Sequence, residues 1–126
     1  MPCRATPVLR ALIGALVALA LPAAAQAKPA HKQALIDFFG PALPAKLHDC
    51  RTCHLPVSAD DPSERPHNPF GARLKAVRAE LRKAGKQTDI ATRLQAIADE
   101  DSDGDGASNV SELRSGHFPG DSSDKP

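Results

Sequence analysis

The chain has 126 residues, with 16 Lys and Arg against 15 Asp and Glu and a formal net charge of +1. That length supports a single domain, and the balanced charge, with no basic stretch interleaved with aromatics, argues against a nucleic-acid partner. Aromatic residues make up only 3 %, with no Trp and no Tyr, which excludes a core built on large rings.

The N-terminus reads as an export signal. Met1 to Arg10 carries Arg4 and Arg10, an apolar run covers Ala11 to Leu21, and Ala25-Gln26-Ala27 has the small-x-small form of a cleavage site. The run is well short of the roughly 20 apolar residues of a spanning helix. Cys3 precedes it, in the charged region, which argues against a lipoprotein. Residues 1–27 are therefore expected to be a signal peptide, leaving Lys28 to Pro126 exported to the periplasm or the extracellular space without a membrane span. Of those 99 residues only 18 are Leu, Ile, Val or Phe. That is below the roughly 20 % at which a chain struggles to build a core, yet the high net charge of a disordered chain is missing. A small domain this poor in core residues calls for a staple, such as a disulfide, a metal or a flat apolar cofactor.

The elements follow in chain order. Lys32 to Phe39, with Leu35, Ile36, Phe38 and Phe39, reads as a short amphipathic helix stopped at Gly40-Pro41. Ala45 to His54 is expected to form a second helical stretch closed by Pro56. Pro56 to Pro66, with three prolines and no periodicity, is expected to be a surface loop. The strongest helix pattern starts at Asn68 as N-cap and Pro69 at the first helical position, continues through Phe70, Leu74, Val77 and Leu81 on one face, and ends at Gly85. Thr88 is expected to cap a further helix bearing Ile90, Leu94 and Ile97, and Pro119 to Pro126 to form a flexible tail. No strand pattern and no repeat occurs, so the fold class is expected to be all-α.

Cys50-Arg51-Thr52-Cys53-His54 has the C-x-x-C-H spacing by which haem c is attached. On one helical turn two thiols can reach two vinyl groups along a porphyrin edge while the next residue turns its imidazole to the iron. A Cys50–Cys53 disulfide would close too short a loop to stabilise much. A thioredoxin-like redox pair needs a βαβ pattern, and zinc needs a second tight pair of ligands; neither is present. Cys50 and Cys53 are thus the expected thioether residues and His54 the proximal iron ligand of a covalent haem c. The only methionine, Met1, lies in the signal, so the histidine–methionine pairing of ordinary cytochromes c is excluded. His67, just before a helix, is the preferred sixth ligand and His117 the second choice. His48 shares the short stretch of His54, and His31 lies near the new N-terminus.

Asp101 to Glu112 fits the calcium-loop template D-x-[DN]-x-[DN]-G-x5-E throughout. Asp101, Asp103, Asp105 and Glu112 would supply carboxylate oxygens, Ala107 its carbonyl, and Asn109 an oxygen directly or through water, while Gly106 permits the central turn. Without a cation these carboxylates would repel one another. Ser108 replaces the apolar residue that pairs two loops in a sensor EF-hand, and Gly116 cuts the exit helix short. The loop more closely resembles those of dockerin and thrombospondin type 3 repeats, with Glu112-Leu113 at its end. That likeness implies structural calcium, and extracellular sites of this kind bind at roughly 10⁻⁴–10⁻³ M.

Cys50 to His54, Asn68-Pro69-Phe70-Gly71 and Asp101 to Leu113 together resemble small secreted bacterial c-type cytochrome-like proteins, in which a haem motif is joined to a thrombospondin type 3 or EF-hand-like calcium loop. The resemblance implies a small cytochrome c-like helical domain over residues 28–118, including the calcium loop 101–112, that binds haem and calcium outside the cytoplasm. The expected function is one-electron transfer to a redox partner protein, by an electron carrier. The alternatives are a haem with an open sixth site, acting as small-ligand sensor or weak peroxidase, and a calcium-stabilised interaction module.

Overall fold

The computed structural model describes residues 29–60 and 65–126, so the expected signal peptide lies outside the described residues. Within them the protein is helical, with four α-helices and no strand. The helices are α1 (Pro29–Phe39), α2 (Pro69–Lys83), α3 (Ile90–Ala96) and α4 (Asn109–Ser115).

Helix α1 starts three residues earlier than its apolar pattern suggests, and Pro29 suits that first turn, where an N–H would find no intrahelical partner. It buries Leu35 and half-buries Ile36 and Phe39. Phe38 instead stays 37 % exposed and meets Phe39 edge-on, with ring centroids 5.0 Å apart.

The expected helix over Ala45–His54 is replaced by two separate 3₁₀ turns, Ala45–Leu47 and Cys50–Thr52. Asp49 causes the break. Its backbone is extended, and its carboxylate accepts the Arg51 N–H at 2.8 Å, so the side chain competes with a continuing helix. Thr52 is buried and donates its hydroxyl to the Leu47 carbonyl at 2.8 Å, which folds the second turn back on the first.

Helix α2 follows its pattern closely. The Asn68 side chain accepts the Gly71 N–H at 2.8 Å, and Phe70, Leu74, Val77 and Leu81 are buried. Gly85 (φ +66°) ends it with paired bonds from Lys86 N–H to the Leu81 carbonyl and from Gly85 N–H to the Arg82 carbonyl. Helix α3 is capped by Asp89 and not by Thr88: the Asp89 carboxylate accepts both the N–H and the hydroxyl of Thr92, at 3.0 and 2.7 Å. Thr88 instead offers its carbonyl to Arg93 Nε at 2.6 Å. Helix α4 buries Leu113 and stops at Gly116 (φ +85°).

Helix α3 packs against both α1 and α2, and Leu35, Phe70, Leu74, Leu94, Ile97 and Leu113 meet in one cluster. Arg73 of α2 grips Glu100 through Nε and Nη2, at 2.6 and 2.8 Å, and so ties this core to the start of the acidic loop.

The C-terminal segment, expected as a loose tail, is fastened instead. Pro119 is buried, and the Asp124 carboxylate accepts from Phe118 N–H at 3.1 Å, His117 Nδ1 at 3.0 Å and Lys46 Nζ at 3.4 Å. Gly120 lies so close to Asn68 that a Cβ there would come within 2.5 Å of its side chain. One acceptor serving three donors gives a short polar segment enough hold to stay folded.

Candidate functional site

The Cys-x-x-Cys-His segment is positioned by its backbone. Asn68 donates its side-chain amide to the carbonyls of Arg51 (2.9 Å) and Thr52 (3.2 Å) while its oxygen caps α2, so one buried residue joins the cysteine turn to the helix. Asn68 N–H reaches the Cys53 carbonyl at 3.1 Å and Leu55 N–H the Pro66 carbonyl at 2.9 Å, which brackets an antiparallel bridge between His54 and His67. Gly71 completes the approach. A Cβ at that position would fall 1.9 Å from the Cys53 carbonyl oxygen, so no other residue fits without moving the backbone.

Both cysteines are free thiols, Cys50 exposed and Cys53 half-buried. Burial, and secondarily the neighbouring Cys50, push the Cys53 thiol up to about 12. His54 places Nδ1 3.0 Å from the Arg65 carbonyl. That partner can only accept, so Nδ1 carries the proton and the Nε2 lone pair is left to bind a metal.

Cys53 and His54 open onto a groove of about 180 Å³ between α1, α2 and α3. Leu35, Leu74, Ile90 and Leu94 give it an apolar floor, and Lys75, Arg78 and Arg93 stand at it with no carboxylate on the lining among the described residues. None of those three cations forms an ion pair among the described residues. The groove is smaller than the roughly 300–1,000 Å³ of enclosed small-molecule pockets. A flat apolar ring would therefore fill it and project past its mouth, with any acidic groups met by the cations. The apolar floor, the free Nε2 and the unpaired cations fit a porphyrin carrying carboxylates.

The histidines separate clearly. His67 stands at the groove but stacks on His54, with ring centroids 4.6 Å apart and planes at 30°. Its imidazole is held below the usual value, first by burial and then by His54 and Lys75. His117 is paired with Asp124 and does not line the groove, and neither does His48. His31 of α1 does line it. Sequence reasoning missed His31 and the three cations as groove residues. Lys75 and Arg78 follow the buried Leu74 and Val77 by one position each, so a helical projection of α2 would have found them; Arg93 depends on how α3 packs.

In the acidic loop, ligand atoms of Asp101, Asp103 and Asp105 gather within 4.8 Å of one another. Gly104 (φ +78°) and Gly106 (φ +98°) let the chain turn so that three N–H groups, of Gly104, Asp105 and Gly106, point at the Asp101 carboxylate. Those donors hold Asp101 below the ordinary carboxylate range, whereas burial raises Asp103. Glu112 is fully buried, and neither of its carboxylate oxygens has a hydrogen-bond partner among the described residues. One oxygen each of Asp103 and Asp105 is equally unpartnered. Burial, followed by the charges of Asp103, Asp105 and Asp101, pushes Glu112 up to about 8. Buried carboxylate oxygens facing one another without donors are costly unless a cation joins them. The set is all hard oxygen, which suits calcium better than a softer metal.

Asn109 is placed differently from the rest. Its amide donates to the Ile97 carbonyl at 2.7 Å and its oxygen accepts the Ser102 N–H at 3.3 Å, so it fastens the loop to the end of α3. Among the described residues, no helix is long and apolar enough to cross a membrane. No family model matches the chain, and no match appears among curated proteins or solved structures.

Proposed function

We propose that the protein is an exported monohaem c-type cytochrome that carries single electrons to a partner protein and is braced by a structural calcium ion. The observation that carries this reading is His54, whose Nδ1 is fixed by the Arg65 carbonyl while its other nitrogen is left free beside Cys53 on an apolar, cation-lined groove. Cys50 and Cys53 would hold the cofactor through thioether bonds, and His54 Nε2 would ligate the iron. Leu35, Leu74 and Leu94 would exclude water from one face of the ring. Lys75, Arg78 and Arg93 would meet its carboxylates. The bound haem supplies one-electron chemistry by cycling between Fe(II) and Fe(III). The open groove favours transfer through an exposed ring edge.

Calcium binding is supported by the unpartnered oxygens of Glu112, Asp103 and Asp105. The ion would join Asp101, Asp103 and Asp105 to Glu112 of α4 and so close the C-terminal third of the molecule.

Expression of the mature chain with a haem-attachment system tests the first part. A haem spectrum that survives acid–acetone extraction is expected, and its absence would refute the cytochrome reading. For the second part, millimolar calcium is expected to raise the melting temperature. An unchanged melting temperature would rule out the ion.

A further inference from the structure

We infer that His31 is the sixth ligand of the iron, approaching from α1 the face opposite His54; this rests on the haem reading above. Two axial ligands of one iron lie on opposite faces of a flat ring. His67 cannot take that place without rebuilding the site. Its ring lies flat on that of His54, and the two backbones are pinned together by the Leu55–Pro66 and Asn68–Cys53 hydrogen bonds. Bringing His67 to the far side would break both bonds and pull Asn68 from the N-terminus of α2. His117 is held by Asp124 away from the groove, and His48 does not line it. The only methionine, Met1, precedes the expected cleavage site.

His31 meets the requirements that the others fail. It lines the same groove as His54 but comes from a different element, the first turn of α1. Leu35, one helical turn later and on the same face, is buried in the core and also lines the groove, which fixes the side of α1 that faces it. The His31 side chain makes no hydrogen bond among the described residues, so reorienting it onto a metal sacrifices no interaction seen there. An exposed residue in a first turn can also adjust its position as the groove fills. Lys75 is the remaining donor on the lining, but a lysine ligates a metal only as the free amine, whereas an imidazole offers a lone pair without giving up a charge.

The test uses the mature haem-loaded protein. The wild type is expected to show a low-spin spectrum in both oxidation states and no response to carbon monoxide. His31→Ala should convert it to a high-spin form that binds carbon monoxide, and added imidazole should restore the low-spin spectrum. His67→Ala should leave it low-spin. His31→Met, which keeps a ligand at the position, should remain low-spin and shift the reduction potential upward. A low-spin His31→Ala protein, or loss of the low-spin state in His67→Ala or Lys75→Ala alone, would overturn the assignment. So would a high-spin wild type that retains covalent haem. Failure to attach haem at all would remove the parent reading and this one with it.

Discussion

The cysteine–histidine groove and the acidic loop are both organised around short motifs, but they are held in opposite ways. At the groove the cysteine turn is held by bonds to its backbone, and the Asn68 side chain alone makes two of them while capping α2. At the loop the N–H groups of Gly104, Asp105, Gly106 and Ala107 are paired with aspartate oxygens, while other buried carboxylate oxygens have no partner among the described residues. A satisfied framework is stable without its ligand and discloses it only through shape and free donor atoms. An unsatisfied buried charge discloses a ligand by its cost, because such oxygens are expensive to bury alone. The two regions are joined by Arg73, which runs from α2 to Glu100, and by Asp124, which ties the C-terminal segment to Lys46 beside the cysteine turn.

The comparison breaks most readily at Glu112. Its folded value of about 8 lies above the 4.5 expected of a free glutamate, so the cation-free folded state holds a proton that the unfolded state has released. Stability is therefore fully present below about pH 4.5 and is lost as pH rises towards about 8. With one proton at stake the slope is at most about 1.4 kcal/mol per pH unit. Denaturation in chelator should show that decline, and saturating calcium should flatten it by holding Glu112 ionised. Glu112→Gln should remove both the decline and the response to calcium. Equal slopes with and without calcium would show that the loop charge is not what sets its stability.

Gly71→Ala probes the other region. With a Cβ placed 1.9 Å from the Cys53 oxygen, the cysteine turn has to move away from α2. The expected loss is about 2–3 kcal/mol, the upper part of the range for overpacking, measured by denaturant unfolding. Calcium binding should survive in this variant, since among the described residues no loop carboxylate bonds to Gly71 or to the cysteine turn. Loss of calcium binding as well would show that the regions are one cooperative unit.

The smallest effect is expected at the tie between them. Asp124→Ala removes the acceptor for Phe118, His117 and Lys46 and should cost about 1 kcal/mol, since the three bonds are at most partly buried. Amide exchange should quicken at 117–124 and stay unchanged in α2. Unaltered exchange in the C-terminal segment would show that buried Pro119, and not Asp124, holds it down.

What the sequence determined by itself was local. Asn68-Pro69 with Phe70, Leu74, Val77 and Leu81 specified α2, because cap chemistry and helical period both act within a few residues. The same holds for the acidic loop, where alternating aspartates and two glycines gather the carboxylates through their own turns. The sequence misplaced the helix over Ala45–His54 and the cap of α3 for an equally local reason: Asp49 and Asp89 outcompeted the pattern by accepting nearby N–H groups. Only the tertiary structure decided which residues share the groove. The stacking of His67 on His54, the arrival of His31 from α1 and the gathering of Lys75, Arg78 and Arg93 depend on helix packing between segments far apart in the chain. Burial of Glu112 was of that kind too: its place in the template followed from spacing, but its lack of a hydrogen-bonding partner among the described residues followed from how α4 packs on the core.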